Sequence, residues 1–182
     1  MRAYSHSVRN FIFKVKIIKP TYTIQEYEKF SSSDINEIID VIEAGRENPK
    51  HKIKDVLSRS WLIAIARLGK EVVAAIILKN PTQDRKSQIF AVSNSQLNPD
   101  EFHFELGFWA VSEAYIGTGI GKEIIQKLLQ SVNDKLVIFA ISSKQMTVNY
   151  MIQNFNFEIM GNPFVLENTQ KNYSLIIRNL SE

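Results

Sequence analysis

Val111-Ser112-Glu113-Ala114-Tyr115-Ile116-Gly117-Thr118-Gly119-Ile120-Gly121-Lys122 decides how this chain reads. Before it, Glu101 to Val111 reads as a strand. After it, Ile120, Ile124, Ile125, Leu128 and Leu129 fall on one face of a helix predicted over Gly119 to Val132. Lys122, Glu123, Gln126, Lys127 and Gln130 fall on the other. The segment is therefore a strand, a glycine loop and an amphipathic helix in succession. Glycines at alternate positions bare their backbone N–H groups, and the dipole of a helix N-terminus favours an anion there. A pyrophosphate suits such a site, with Thr118 adding a hydroxyl and Lys122 a charge.

Two familiar phosphate motifs do not fit. A P-loop needs four residues between its first Gly and the Gly-Lys pair, followed by Ser or Thr; here three residues separate Gly117 from Gly121, and Glu123 follows Lys122. The dinucleotide fingerprint G-x-G-x-x-G also fails, because this loop reads G-x-G-x-G. A glycine turn that merely permits tight packing is the plain alternative.

Outward from the loop, the chain alternates between helical and extended patterns. Tyr22-Ile24-Glu26 suggests a first strand. Ser31 to Asp34 supplies N-cap chemistry for a helix carrying Ile35, Ile38, Ile39 and Ile42. A short helix is predicted from Lys50 to Arg59, and Trp61–Leu68 and Glu71–Leu78 form a hairpin about Gly69-Lys70. A helix is expected around Lys86 to Asn94, a strand over Leu136–Ile141, a helix over Met146–Phe155, and strands over Phe157–Met160 and Tyr173–Ile177. The order predicts an α/β sandwich around a mostly antiparallel sheet with one parallel crossover.

Composition narrows the function classes. A length of 182 residues favours one domain over residues 20–182, with residues 1–19 as a basic extension that reads as an added strand. The absence of Cys removes disulfides and thiolate metal sites, and three scattered His give no zinc spacing, so no metal is expected. A net charge of +3 suits an anionic ligand but falls short of the basic stripe of a nucleic-acid binder, although the pI is about 9.0. No apolar run reaches the roughly 18 residues of a membrane span, so no membrane partner and a cytoplasmic location are expected.

From Phe104 to Gly161 the chain resembles the GNAT N-acetyltransferase superfamily. Its coenzyme A loop is written (Gln/Arg)-x-x-Gly-x-(Gly/Ala), and Gly119 and Gly121 fill the last two fixed places. Phe104 to Val111 looks like the central strand before that loop, and Phe157-Glu158-Ile159-Met160-Gly161 stands where members often have Gly-Phe-x-x-x-Gly. The likeness extends over about residues 22–178. Glu43-Ala44-Gly45-Arg46-Glu47, Leu78-Lys79-Asn80-Pro81 and Phe104-Glu105-Leu106-Gly107 look like a bacterial and phage branch without an assigned substrate.

The resemblance implies a mixed, mostly antiparallel sheet of about 6–7 strands flanked by about 4–5 helices and splayed between its two central strands. It implies an acetyl group moved from acetyl-CoA to a small-molecule or protein amine, and it leaves a homodimer open. Cofactor contacts fall on Trp109, Val111, Gly117, Thr118, Gly119, Ile120, Gly121, Lys122 and Gln145. Backbone N–H groups near Phe108 and Trp109 would polarise the thioester carbonyl. Glu105, where several members place a general base, is the catalytic candidate. With no bulge it shares a face with Trp109 and Val111 across open space at Gly107, and burial would raise its pKa toward neutrality. A bonded structural carboxylate is the alternative role for Glu105. Three departures stand out: Ile116 at the Gln/Arg place, Glu113 at a common Pro, and Ile152 where many members carry a Tyr acid. They keep a rival in view, a catalytically weak coenzyme A-binding or protein-interaction module.

Overall fold

Ser31 starts the first helix by a reciprocal cap. Its hydroxyl accepts from the Asp34 N–H and the Asp34 carboxylate accepts from the Ser31 N–H, each at 3.1 Å. In the computed structural model, which describes residues 19–45, 49–132, 136–167 and 169–178, this helix (α1) runs Ser32–Ala44 and α2 runs Lys50–Ser58. The helices α3 (Gln83–Val92), α4 (Ile120–Gln130) and α5 (Gln145–Phe155) follow. The strands are β1 (Thr21–Gln25), β2 (Ser60–Leu68), β3 (Glu71–Lys79), β4 (Phe104–Val111), β5 (Ile138–Ser142), β6 (Phe157–Val165) and β7 (Asn172–Arg178). The expected strand over residues 1–19 lies outside the described residues, save for Lys19.

The seven strands form one sheet in the order β1-β2-β3-β4-β5-β7-β6. Every pairing is antiparallel except β4 with β5, which are parallel because α4 carries the chain across between them. Helices cover both faces, so the central strands read as near-continuous apolar runs rather than alternating ones. On one face α1 and α2 bury Ile38, Ile42, Ile53 and Leu57 against Ile63, Ile65, Ala75 and Ile77. On the other, α4 and α5 bury Ile124, Ile125, Leu128 and Val148 against Ala64, Ala74, Ile76 and Leu78. A third cluster packs Ile89 and Phe90 of α3 on Phe139, Leu175 and Ile177.

Several boundaries differ from the sequence reading, each for a local reason. The strand expected from Glu101 begins at Phe104, because Asn98 accepts from the Asp100 N–H and winds Pro99–Glu101 into a 3₁₀ turn. Helix α3 starts at Gln83 instead of Lys86, because the Thr82 hydroxyl caps it by accepting from the Arg85 N–H at 3.3 Å. Strand β6 continues past Met160 through a register shift. There Gly161, at φ +67°, lets the chain approach α3 so closely that a Cβ would stand 2.1 Å from the Ser93 carbonyl oxygen.

Candidate active site

The parallel seam between β4 and β5 is short. Phe104, Leu106 and the residue between them face Ile138, Ala140 and Phe139, and beyond that point the strands part. On its other edge β4 stays paired with β3. The Ser112 N–H donates to the Val73 carbonyl at 2.8 Å. Alternation then turns the N–H and C=O of Val111 the other way, into the gap beside β5. A crevice of about 50 Å³ opens at the parting, lined by Leu106, Gly107, Trp109, Ile141, Ser142, Thr147 and Met151 among others.

Above the gap sits the glycine loop. Gly117 and Gly119 adopt φ of +82° and +90°, where a side chain is strained, and the space a Cβ would enter is open at both. The N–H groups of Lys122 and Glu123 both donate to the Gly119 carbonyl. Those of Gly119, Ile120 and Gly121 find no acceptor among the described residues, and no side chain caps α4. Gly121 has a packing job besides its open N–H. A Cβ there would press on Val111 at 3.1 Å and Trp109 at 3.2 Å, so this glycine lets the helix sit down on β4. The Thr118 hydroxyl donates to the Tyr115 carbonyl at 2.7 Å, Lys122 is exposed, and Ile116 is 69% exposed with nothing polar to offer. The Trp109 Nε1–H is buried without a partner among the described residues.

A bulge in β4 overturns the expected face of Glu105. Ala75 pairs with Ala110 and Ile77 with Gly107, so Phe108 and Trp109 together oppose Ile76, and Phe108 takes φ +50°. The extra residue reverses the alternation. Trp109 and Val111 join Phe104 and Leu106 under α4 and α5, while Glu105 lies on the other face with Ala110 and Phe108. Nor is the side-chain side of Gly107 open, because Lys79 lies there, with Cε at 2.6 Å from the Cβ position.

Glu105 is 4% exposed and tightly held. Lys79, its direct partner across the β3–β4 ladder, donates to Oε1 at 2.6 Å, and Arg85 Nε lies 3.6 Å from Oε2. Burial alone would raise its pKa, but the Lys79 and Arg85 charges outweigh that and hold the carboxyl below its usual range. The expected rise toward neutrality is therefore corrected: both cations come from residues distant in sequence. Beside this cluster lies a cavity of about 310 Å³, lined by Val56, Arg59, Lys79, Asn80, Pro81, Thr82, Arg85 and Glu105. Gly107 lines the crevice and carries Lys79 against its other side, so one peptide separates the two spaces.

The remaining candidates are spread more widely. Gln145 heads α5, but it is exposed and donates to Asn149 at 2.9 Å instead of lining the crevice. The His103 ring accepts from the Val137 N–H at 3.2 Å and pins β4 to β5. Ile152 is 37% exposed, whereas the Tyr150 ring packs tilted against Trp109 with centroids 5.5 Å apart. Sequence reasoning missed Lys79, Arg85 and Arg59, and also Ser142 and Thr147 in the crevice. A Lys at the far end of the hairpin and an Arg three residues past a Thr cap were the available signals.

The sequence matches the family described as acetyltransferase (GNAT) over residues 24–147. Comparison with curated proteins gave no match. Among solved structures the fold is similar to Escherichia coli ElaA, at 14% identity and TM-score 0.66, covering 88% of this chain and 100% of that one. It is also similar to an acyl-CoA N-acyltransferase from Pseudomonas aeruginosa, at 9% identity and TM-score 0.64, covering 88% and 100%. Ard1 from Thermoplasma volcanium gives 15% identity and TM-score 0.62, covering 88% and 99%. At these identities the likeness speaks for the fold alone.

Proposed function

The chain belongs to the GNAT acetyltransferase family, and on that premise we propose that it moves an acetyl group from acetyl-CoA to a primary amine. One observation carries the reading. The open amides of Gly119, Ile120 and Gly121 stand at the head of α4, which rests on Trp109 and Val111 just past the place where β4 leaves β5. An anion and an extended arm thus find adjoining sites.

Acetyl-CoA supplies an activated thioester carbonyl. The N–H groups of Gly119, Ile120 and Gly121 hold its pyrophosphate, Lys122 adds charge, and Gly117 and Thr118 shape the loop. The free edge of β4 at Val111 and Trp109 takes the pantetheine arm like an added strand. Backbone N–H groups at the bulge, near Phe108 and Trp109, polarise the carbonyl. Gln145 reaches the arm by leaving Asn149. Glu105 accepts the proton that the amine must lose. It is ionised through the neutral range, hence always able to accept, yet the paired cations make it a weak base. The acceptor's ammonium has to replace Lys79 as its partner.

A second reading, a module that binds coenzyme A without turnover, is favoured by the same ion pair and by Ile152 in place of a hydroxyl. One experiment separates the two. Thermal stabilisation by acetyl-CoA is measured together with thiol release over an amine panel, and the absence of Cys from the chain leaves no background thiol. Stabilisation with amine-dependent release supports transfer. Stabilisation with no release on any amine leaves the module, and no stabilisation defeats both.

A further inference from the structure

We propose that the cavity beside Glu105 accepts a small amine that also bears a carboxylate, and that Arg59 and Arg85 hold that carboxylate. This deepens the transfer reading above and rests on it for the amine. The binding claim itself rests on the cavity.

The charge inventory is the first argument. Three cations, Arg59, Lys79 and Arg85, line the space, and Glu105 is the one carboxylate among the lining residues. Glu105 is already shared by Lys79 and Arg85. Arg59 draws on Asp55 from outside the lining, with Nη2 at 2.5 Å from Oδ2. Three cations thus face two carboxylates, and one positive charge is left over. An amine enters water-borne as an ammonium ion. A simple ammonium would add a fourth cation to this space, whereas an amine carrying its own carboxylate brings the missing counter-charge.

Geometry is the second argument. Arg85 is committed only through Nε, and its two terminal nitrogens have no hydrogen-bond partner among the described residues. Its side chain is 35% exposed and that of Arg59 is 60% exposed, so both can be reached from solvent. A guanidinium presents a planar fork that matches a carboxylate through two parallel hydrogen bonds. The neutral polar groups of the wall, Asn80 and Thr82, carry no charge to set against a carboxylate. Asn80 Nδ2 donates to the Arg59 carbonyl at 3.3 Å, and the Thr82 hydroxyl caps α3. Recognition therefore falls to the two arginines. A volume of about 310 Å³ sits at the small end of ligand sites, which suits an acceptor of amino-acid size.

The test compares β-alanine with β-alaninamide, which differ in the carboxylate, and adds O-phosphoethanolamine to separate carboxylate from phosphate. With acetyl-CoA present, β-alanine is expected to show a KM lower than the amide by about tenfold. Arg59→Gln is expected to raise the KM for β-alanine by about tenfold with kcat unchanged, and to leave the amide unaffected. Asp55→Asn, which removes the charge opposing Arg59 while its Nε stays on the residue-55 carbonyl, is expected to lower the KM for β-alanine. Equal KM values for acid and amide, a preference for O-phosphoethanolamine, or an Arg59→Gln effect equal on both amines would overturn the proposal. A donor-free arm measures thermal stabilisation of the full chain by β-alanine and its loss in Arg59→Gln. If no amine is acetylated, the transfer reading fails while this arm still decides the carboxylate site: stabilisation that disappears in the variant upholds it, and no stabilisation overturns it.

Discussion

The two ends of β4 are built on opposite principles. Past Val111 the backbone presents N–H groups that no acceptor in the described chain satisfies. At Glu105 a buried carboxylate has two cations where one would neutralise it. At the first end backbone donors stand unpaired, and at the second the carboxylate already has its partners. On the proposed reading, the site is open to its donor at one end while the carboxylate assigned as base is restrained at the other. Under that proposal, transfer turns on whether an acceptor can break the restraint.

The restrained end should give the largest change. Lys79→Met leaves a buried carboxylate with only the looser Arg85 contact at 3.6 Å, and a loss of about 3 kcal/mol in unfolding free energy is expected from denaturant titration. Adding Glu105→Gln should restore part of that loss. A double mutant no better than Lys79→Met would mean that the pair is not the restraint described. At the open end, Gly119→Glu puts a strained, negative side chain at φ +90° among the free amides. Calorimetric affinity for acetyl-CoA should fall by about 100-fold, the worth of two lost charge-assisted hydrogen bonds. Gly69→Ala, at φ +63° in the distant hairpin, carries similar backbone strain and should leave that affinity unchanged.

Smaller effects sharpen the contrast. Trp109→Phe removes the buried, unpartnered indole N–H, so the ligand-free protein should gain stability by about 1 kcal/mol in a melting experiment. A loss in stability instead would mean that ring volume outweighs the orphan donor. The pH dependence should be the most modest. Because the folded pKa of Glu105 is lowered, its contribution is full above the ordinary carboxylate pKa and fades as pH falls through the folded value. Glu105→Gln should flatten the acid side of the stability profile, and in the wild type no limb assignable to Glu105 should appear near neutrality.

Local chemistry made much of this fold readable. The Ser31 cap, the Gly69-Lys70 turn and the isoleucine stripe of α4 each declare an element within a few residues. The loop glycines marked the left-handed backbone and open amides ahead of α4 for the same reason. What stayed hidden depends on pairing between strands. Gly107 adjoins the bulge, but a strand glycine alone does not fix where the extra residue falls, so strict alternation put Glu105 on the wrong face. The Lys79–Glu105 contact spans 26 residues and exists only in one register of β3 against β4. Arg85 comes into range only because Thr82 starts α3 a turn earlier than its apolar pattern suggests.

The brevity of the β4–β5 contact has its own consequence. Three rungs hold the β1–β4 half of the sheet to the β5–β7–β6 half. A guest lying along the unpaired edge would act as a keystone and carry the ladder across the joint. Amide exchange in the smaller half should then slow when the guest arrives, far from any atom it touches.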